Sequence, residues 1–278
     1  MRRGRTVILA IDIGNTTIAF TGLELLHRDD GRDFHVLFEK KIPTETGKDL
    51  PLFWQKTREV LPEEVLEEKD AVTAVAISSV VPACTPAAEA LAGKICSRPP
   101  TLVSWKCRTG LSFEEIPLPD RVGADRIADS AWAASRAGLP AMTVDMGTAT
   151  TINIVSEERK FLGGMIGAGV RTSLRALRTG TAQLPELEPG QVLPRDLIGR
   201  DTPGCMLSAA IVGTAAMIDG IAAHVEDQLG RPLSLILTGG NATAVSEWIR
   251  HAYQHEPNLA AKGAALIALL EQEEAGQT

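Results

Sequence analysis

The stretch Val7–Phe20, VILAIDIGNTTIAF, returns in altered form as Ala141–Ser156, AMTVDMGTATTINIVS. In each copy an apolar run ends on an aspartate, Asp12 or Asp145, followed by X-Gly, then threonines and a second β-rich run. The copies stand about 130 residues apart, which reads as duplicated halves, each aiming a carboxylate and a glycine-turned loop toward a shared cleft. Glycine permits a tight turn and close backbone approach, so amide N–H groups near Gly14 and Gly147 can point at phosphate oxygens. Asn15, Thr16, Thr148 and Thr150 add side-chain donors. An aspartate beside an anion calls for a cation between them, and magnesium favours carboxylates, water and phosphate oxygens. The alternative is a pair of β-hairpins whose D-X-G turns serve geometry alone.

With 278 residues the chain has room for two lobes, each burying its own core, and 44% hydrophobic with 23% charged residues is a globular composition. A net charge of −7 argues against a nucleic-acid-binding surface, which needs a lysine and arginine excess. No apolar run reaches the roughly 18 residues of a membrane span, and the MRRGR opening runs through a short apolar stretch into Asp12, unlike a signal peptide. Cys84, Cys96, Cys107 and Cys205 show neither C-x-x-C spacing nor a histidine partner, and read as thiols of a cytosolic protein.

The pattern predicts strands at 7–13, 16–25 and 34–42, with a turn around His27–Asp33. A helix over 50–66 is interrupted by Pro62, and the apolar run 71–81 suits a buried strand ending at the cleft. Pro117 and Pro119 mark a candidate boundary, giving lobes of 1–118 and 119–278. In the second lobe a helix over 125–137 precedes the repeated D-X-G unit, and a short strand near 160–166 leads to a helix over 169–182. A long alanine-rich helix over 204–229, a strand at 233–237 and a mainly helical tail complete it. Three strands and then alternating helices and strands, given twice, point to two related α/β lobes.

Gly123-Ala124-Asp125-Arg126 falls at a predicted helix start. Asp125 either caps that helix or accepts the proton of an attacking hydroxyl, with Arg126 pairing with a substrate anion. An ordinary aspartate pKa of about 3.9 suffices for such a base. Phe161–Gly169, FLGGMIGAG, allows close approach of a ligand or of a neighbouring strand. Thr181–Pro185, TAQLP, ends a helix, and Thr238-Gly239-Gly240-Asn241 opens one whose amides could meet a nucleotide.

In this order DIGNTT, GADR, DMGTATT, GG-x-I-x-x-G, TAQLP and TGGNA resemble the motifs of type III pantothenate kinases, a branch of the actin-like and sugar-kinase ATPase superfamily. IGRDTPGCMLSAAIVGTAAMIDGI resembles that family's long helix, and the likeness runs from Asp12 to about Leu269. The resemblance implies two actin-like (ribonuclease H-like) lobes with a nucleotide cleft between them, and ATP-dependent phosphorylation of pantothenate, the first step of coenzyme A synthesis. Asp12 would bind magnesium through water, while Gly14, Asn15 and Thr16 hold the triphosphate. Asp125 would be the general base, with Gly123, Ala124 and Arg126 in the pantothenate pocket. Asp145 would help hold a monovalent cation, potassium or ammonium, beside the second phosphate loop of Gly147 and Thr148. The family is dimeric, its interface in the second lobe, so Thr181 would reach the substrate site of the other subunit. The chain carries Phe113 and Ala168 where the family has a tyrosine and a proline. Competing readings are a kinase for a related small hydroxyl compound and a nucleotide-binding regulator of the same fold. Phosphoryl transfer asks mainly for positioning and charge neutralisation, and the three aspartates together favour an active kinase over a regulator.

Overall fold

A computed structural model describes residues 6–28, 31–188, 194 and 196–275. The basic opening at 1–5 and the tip of the expected turn at 29–30 lie outside the described residues. The chain divides into two units. The first comprises Met1–Leu111, Pro117–Trp132 and Leu259–Thr278; the second comprises Ser112–Ile116 and Ala133–Asn258.

In the first unit β1 (Val7–Ile13), β2 (Thr17–Arg28), β3 (Gly31–Pro43), β4 (Ala74–Ser79) and β5 (Thr101–Leu102) form a sheet in the order β3-β2-β1-β4-β5. β1 runs antiparallel to β2 and parallel to β4. Such a central strand is covered on both faces, hence its unbroken apolar spelling and the burial of Val7, Ile8, Leu9, Ala10, Ile11 and Ile13. The helices here are α1 (Leu50–Val60), α2 (Glu63–Glu67), α3 (Thr85–Ile95) and the start of α4 (Ala124–Arg136). The Asp49 side chain caps α1 by accepting the Leu52 N–H at 2.9 Å, and Pro62 separates α1 from α2 as the sequence predicts. Phe53, Val65, Leu91 and Ile95 pack on Leu9, Ile11 and Phe20 to make the core. The first hairpin is longer than expected, because β2 and β3 stay paired through His27↔Arg32 and Arg28↔Gly31.

The second unit repeats the scheme. β6 (Ala141–Met146), β7 (Ala149–Val155), β8 (Phe161–Ala168), β9 (Ser234–Thr238) and β10 (Tyr253–His255) lie in the order β10-β9-β6-β7-β8, the first sheet's order with each strand replaced by its counterpart. β6 is antiparallel to β7 and parallel to β9, as β1 is to β2 and β4. The duplication legible in the two D-X-G stretches thus extends to the entire sheet topology. α5 (Val170–Gly180), α6 (Thr202–Leu207), α7 (Gly213–Leu229) and α8 (Ala242–Ser246) belong to this unit, and a π turn at Ser208–Val212 joins α6 to α7. The helical stretch Thr202–Leu229 corrects the expectation that no segment has membrane-span length and apolarity. By length and composition it qualifies, with a mean hydropathy of 1.7 over its best window. Half of that window is buried, and Met206, Leu207, Ile211, Ala215, Ile218 and Ala222 pack in the core with Met142, Val144, Leu235 and Leu237, as a core helix does. The last helix, α9 (Leu259–Ala275), belongs to the first unit and lies against β1 and β4.

Candidate active site

β1 and β4 are parallel and in register, so Asp12 sits beside Ser78 and Ile13 beside Ser79 where both strands end. The Val80 N–H then donates to the Ile13 carbonyl at 3.0 Å. Asp12 is half-buried, whereas Asn15 and Thr16 are exposed at the loop tip. The loop is held from below: the Gly14 N–H donates to the Thr17 carbonyl at 3.0 Å, the Thr44 hydroxyl to the Gly14 carbonyl at 2.6 Å, and the Thr44 N–H to the Thr16 carbonyl at 3.0 Å. A methyl group at Gly14 would meet ordinary contact, 3.5 Å from the Thr17 carbonyl oxygen, and its φ is not left-handed. The backbone therefore does not require glycine here.

The start of α4 reaches the same strand ends through Val80, whose methyl Cγ1 lies 3.5 Å from where a Gly123 side chain would begin. That space is already taken by the Asp125 carboxylate, with which any Cβ at 123 would collide. Gly123 thus makes room for the candidate base. Asp125 accepts the Arg126 N–H through Oδ1 at 2.8 Å, and Ala124 is buried beneath it. Burial pushes the Asp125 pKa up, and the Arg126 backbone bond and charge pull only partly against it. The expectation of an unshifted aspartate is corrected: a carboxylate recessed at a helix start gives up hydration, and its backbone donors do not replace it. Burial also lowers the Arg126 pKa, while the charges of Asp125 and Asp129 raise it. Val80 was missed in the sequence because it follows the apolar strand as one more apolar residue. Ser79 serves the turn, receiving the Thr85 hydroxyl at 2.9 Å.

The second unit builds the matching loop at the end of β6. Asp145 is half-buried and pairs in register with Thr151 and Thr238. The Gly147 N–H donates to the Ala149 carbonyl at 3.0 Å, and a methyl group at 147 would meet nothing closer than 3.7 Å. Two further motifs converge on this loop. Gly169 donates its N–H, and Thr172 its hydroxyl, to the Thr148 carbonyl at 3.1 and 2.6 Å. Asn241 donates its backbone N–H to the Met146 carbonyl at 3.0 Å, and its side-chain amide to the carbonyls of Met146 and Gly147 at 3.0 and 3.3 Å. Gly239 has a φ of +90°, and a side chain there would strike the Asp145 carboxylate. The G-G turn and its asparagine are therefore braces of the DMG loop. Thr150 is buried and its hydroxyl does not face outward, unlike the exposed Thr148. Thr181 is exposed at the end of α5, its hydroxyl donating to the Leu177 carbonyl at 2.8 Å. Phe113 packs its ring 5.5 Å from that of Phe161.

The sequence profile of type III pantothenate kinases matches residues 8–224. The chain belongs to the type III pantothenate kinase family. Relatives bearing that name include proteins of Myxococcus xanthus (31% identical over 94% of this chain and 97% of theirs) and Dictyoglomus turgidum (34%, over 92% and 96%). Among solved structures, a Campylobacter jejuni protein described as a Baf family transcriptional activator matches with a TM-score of 0.53 at 19% identity, covering 97% of this chain and all of that one. A Listeria monocytogenes protein described as an N-acetylmannosamine kinase candidate matches with a TM-score of 0.50 at 15% identity, over 97% and 100%. These two likenesses concern the fold, that of the actin-like ATPases. Membership makes the chain an ATP-dependent kinase acting on pantothenate at the first step of coenzyme A synthesis, with magnesium accompanying ATP.

Among the described residues no group of three or more His, Cys, Asp or Glu side chains could cage a metal. That donor set fits magnesium carried by phosphate oxygens and water with a single carboxylate, the role open to Asp12.

Proposed function

We propose that Asp125 is the general base that takes the proton of the pantothenate primary hydroxyl as the hydroxyl oxygen bonds to the γ-phosphorus of ATP and the bond to the ADP oxygen breaks. The supporting observation is the recessed Asp125 carboxylate in the space left by Gly123, tied through Val80 to the strand end bearing Asp12. Gly123, Ala124 and Arg126 form the pantothenate pocket, with Arg126 pairing with the substrate carboxylate. Gly14, Asn15 and Thr16 receive one part of the triphosphate, and Gly147 and Thr148 receive another. Asp12 would hold magnesium through water, and the ion would supply charge neutralisation for the transferring phosphoryl group. Asp145 helps hold a monovalent cation, potassium or ammonium. Bare backbone at Gly14 and Gly147, where the fold itself tolerates a methyl group, favours a phosphate role for both loops over turns chosen for geometry.

The protein works as a cytoplasmic homodimer in which Thr181 completes the partner's substrate site. Exposed Met165, Ile166 and Leu177 on the second unit are apolar surface that such a partner would cover. The deciding experiment is an assay with ATP, magnesium and potassium, with and without pantothenate, following phosphopantothenate. Product that depends on pantothenate is expected. ATP binding without product would point instead to a related hydroxyl substrate or a regulatory protein.

A further inference from the structure

Thr44 follows β3 and meets the DIGNTT loop from 30 residues along the chain. It is 2% exposed, whereas Asn15, Thr16 and Thr17 of the loop are open to solvent. Two groups of this one residue hold two loop carbonyls: the hydroxyl donates to Gly14 at 2.6 Å, and the backbone N–H to Thr16 at 3.0 Å. Thr44 is itself fixed, because its carbonyl receives the thiol of the buried Cys84 at 3.5 Å. The peptides joining Gly14 to Asn15 and Thr16 to Thr17 are trans, so in each the N–H points opposite to the C=O. With both carbonyls turned onto Thr44, the N–H groups of Asn15 and Thr17 face the other way, on the exposed side of the loop. Backbone N–H groups gathered on one side of a turn attract anions. The two bonds make different demands on position 44. The bond to Thr16 needs only a backbone N–H, whereas the bond to Gly14 needs a side-chain donor, so a valine would keep the first and release the second.

We propose that Thr44 is a positioning residue for ATP: its hydroxyl sets the plane of the Gly14–Asn15 peptide, so that the Asn15 N–H is already turned outward to donate to a phosphate oxygen. Without the hydroxyl that peptide is free to rotate, and the donor is no longer held toward the anion. The inference rests on the reading of Gly14, Asn15 and Thr16 as a triphosphate loop.

The test is steady-state kinetics of T44V and T44S, with the Asn15 amide followed by NMR. T44V keeps the shape of the side chain and the backbone N–H, while T44S keeps the hydroxyl. T44V is expected to raise the ATP KM about tenfold with the pantothenate KM within about twofold, and T44S to hold the ATP KM within about threefold of wild type. In the wild-type protein the Asn15 amide proton is expected to move downfield on addition of magnesium with a non-hydrolysable ATP analogue, and in T44V to move less. An unchanged ATP KM in T44V, an equal rise in both KM values, a T44S as impaired as T44V, or a full Asn15 response in T44V would each overturn the proposal. If the wild-type Asn15 amide does not respond at all, the phosphate-loop reading itself fails. Should T44V not fold, the wild-type protein decides through the Thr44 hydroxyl proton, which is expected to stay protected from exchange with water both with and without the analogue. Fast exchange in either state would overturn the proposal.

Discussion

Asp125 pays for its recessed position at the start of α4 with lost hydration, and this has two measurable consequences. Its pKa is raised by burial, so the acid limb of kcat/KM is expected above the ordinary aspartate value of about 3.9; a limb at or below that value in a pH–rate profile would contradict the base assignment. For stability the sign is the same. A carboxyl with a higher pKa folded than unfolded favours the fold while protonated, and this contribution disappears as pH rises through the folded value. At neutral pH the ionised form is therefore a burden. Asp125→Asn is expected to raise the melting temperature while lowering kcat by about two to four orders of magnitude, read by thermal denaturation and the phosphopantothenate assay. The loop glycines behave differently. Gly14→Ala and Gly147→Ala meet no close contact, so each should leave stability unchanged or about 0.4–1 kcal/mol higher while raising the ATP KM. A fall in melting temperature with normal ATP KM would restore the plain-turn reading.

At the scale of elements, the second phosphate loop is positioned by its neighbours more than by its own sequence. The strand end supplies Asp145, α5 and the residue before it supply Thr172 and Gly169, and the turn before α8 supplies Gly239 and Asn241. Asn241→Ala removes two side-chain bonds to the loop carbonyls. It should cost about 1–2 kcal/mol of stability and raise the ATP KM several-fold, measured by urea denaturation and kinetics on the same preparation. Unaltered ATP kinetics would mean that the loop holds its shape without the brace. The TGGNA stretch had been open to two readings in the sequence, nucleotide contact or connection. Only the fold shows that its asparagine bonds the DMG loop, because the two segments lie almost one hundred residues apart and no local pattern links them.

For the whole molecule, two expectations separate the proposed mechanism from a generic kinase. Turnover should require potassium or ammonium, and equal rates in sodium alone would remove the cation role given to Asp145. Mixed Thr181→Ala and Asp125→Asn chains should recover part of the lost activity through hybrid dimers, and no recovery after verified subunit exchange would count against shared sites. The sequence by itself determined the duplication, the positions of most strands and helices, and the identity of the loop aspartates and glycines. Those features are written in short-range signals: strand and helix periodicity, proline breaks and a repeated D-X-G. Tertiary structure alone decided that Thr202–Leu229 is a core helix, that Val80 joins the Asp12 strand to the Asp125 helix, and that Asp125 is shifted upward. It alone also showed that Gly14 and Gly147 are bare without backbone need. Burial, hydration and through-space contact depend on which segments meet, and residues adjacent in the chain carry no record of that meeting.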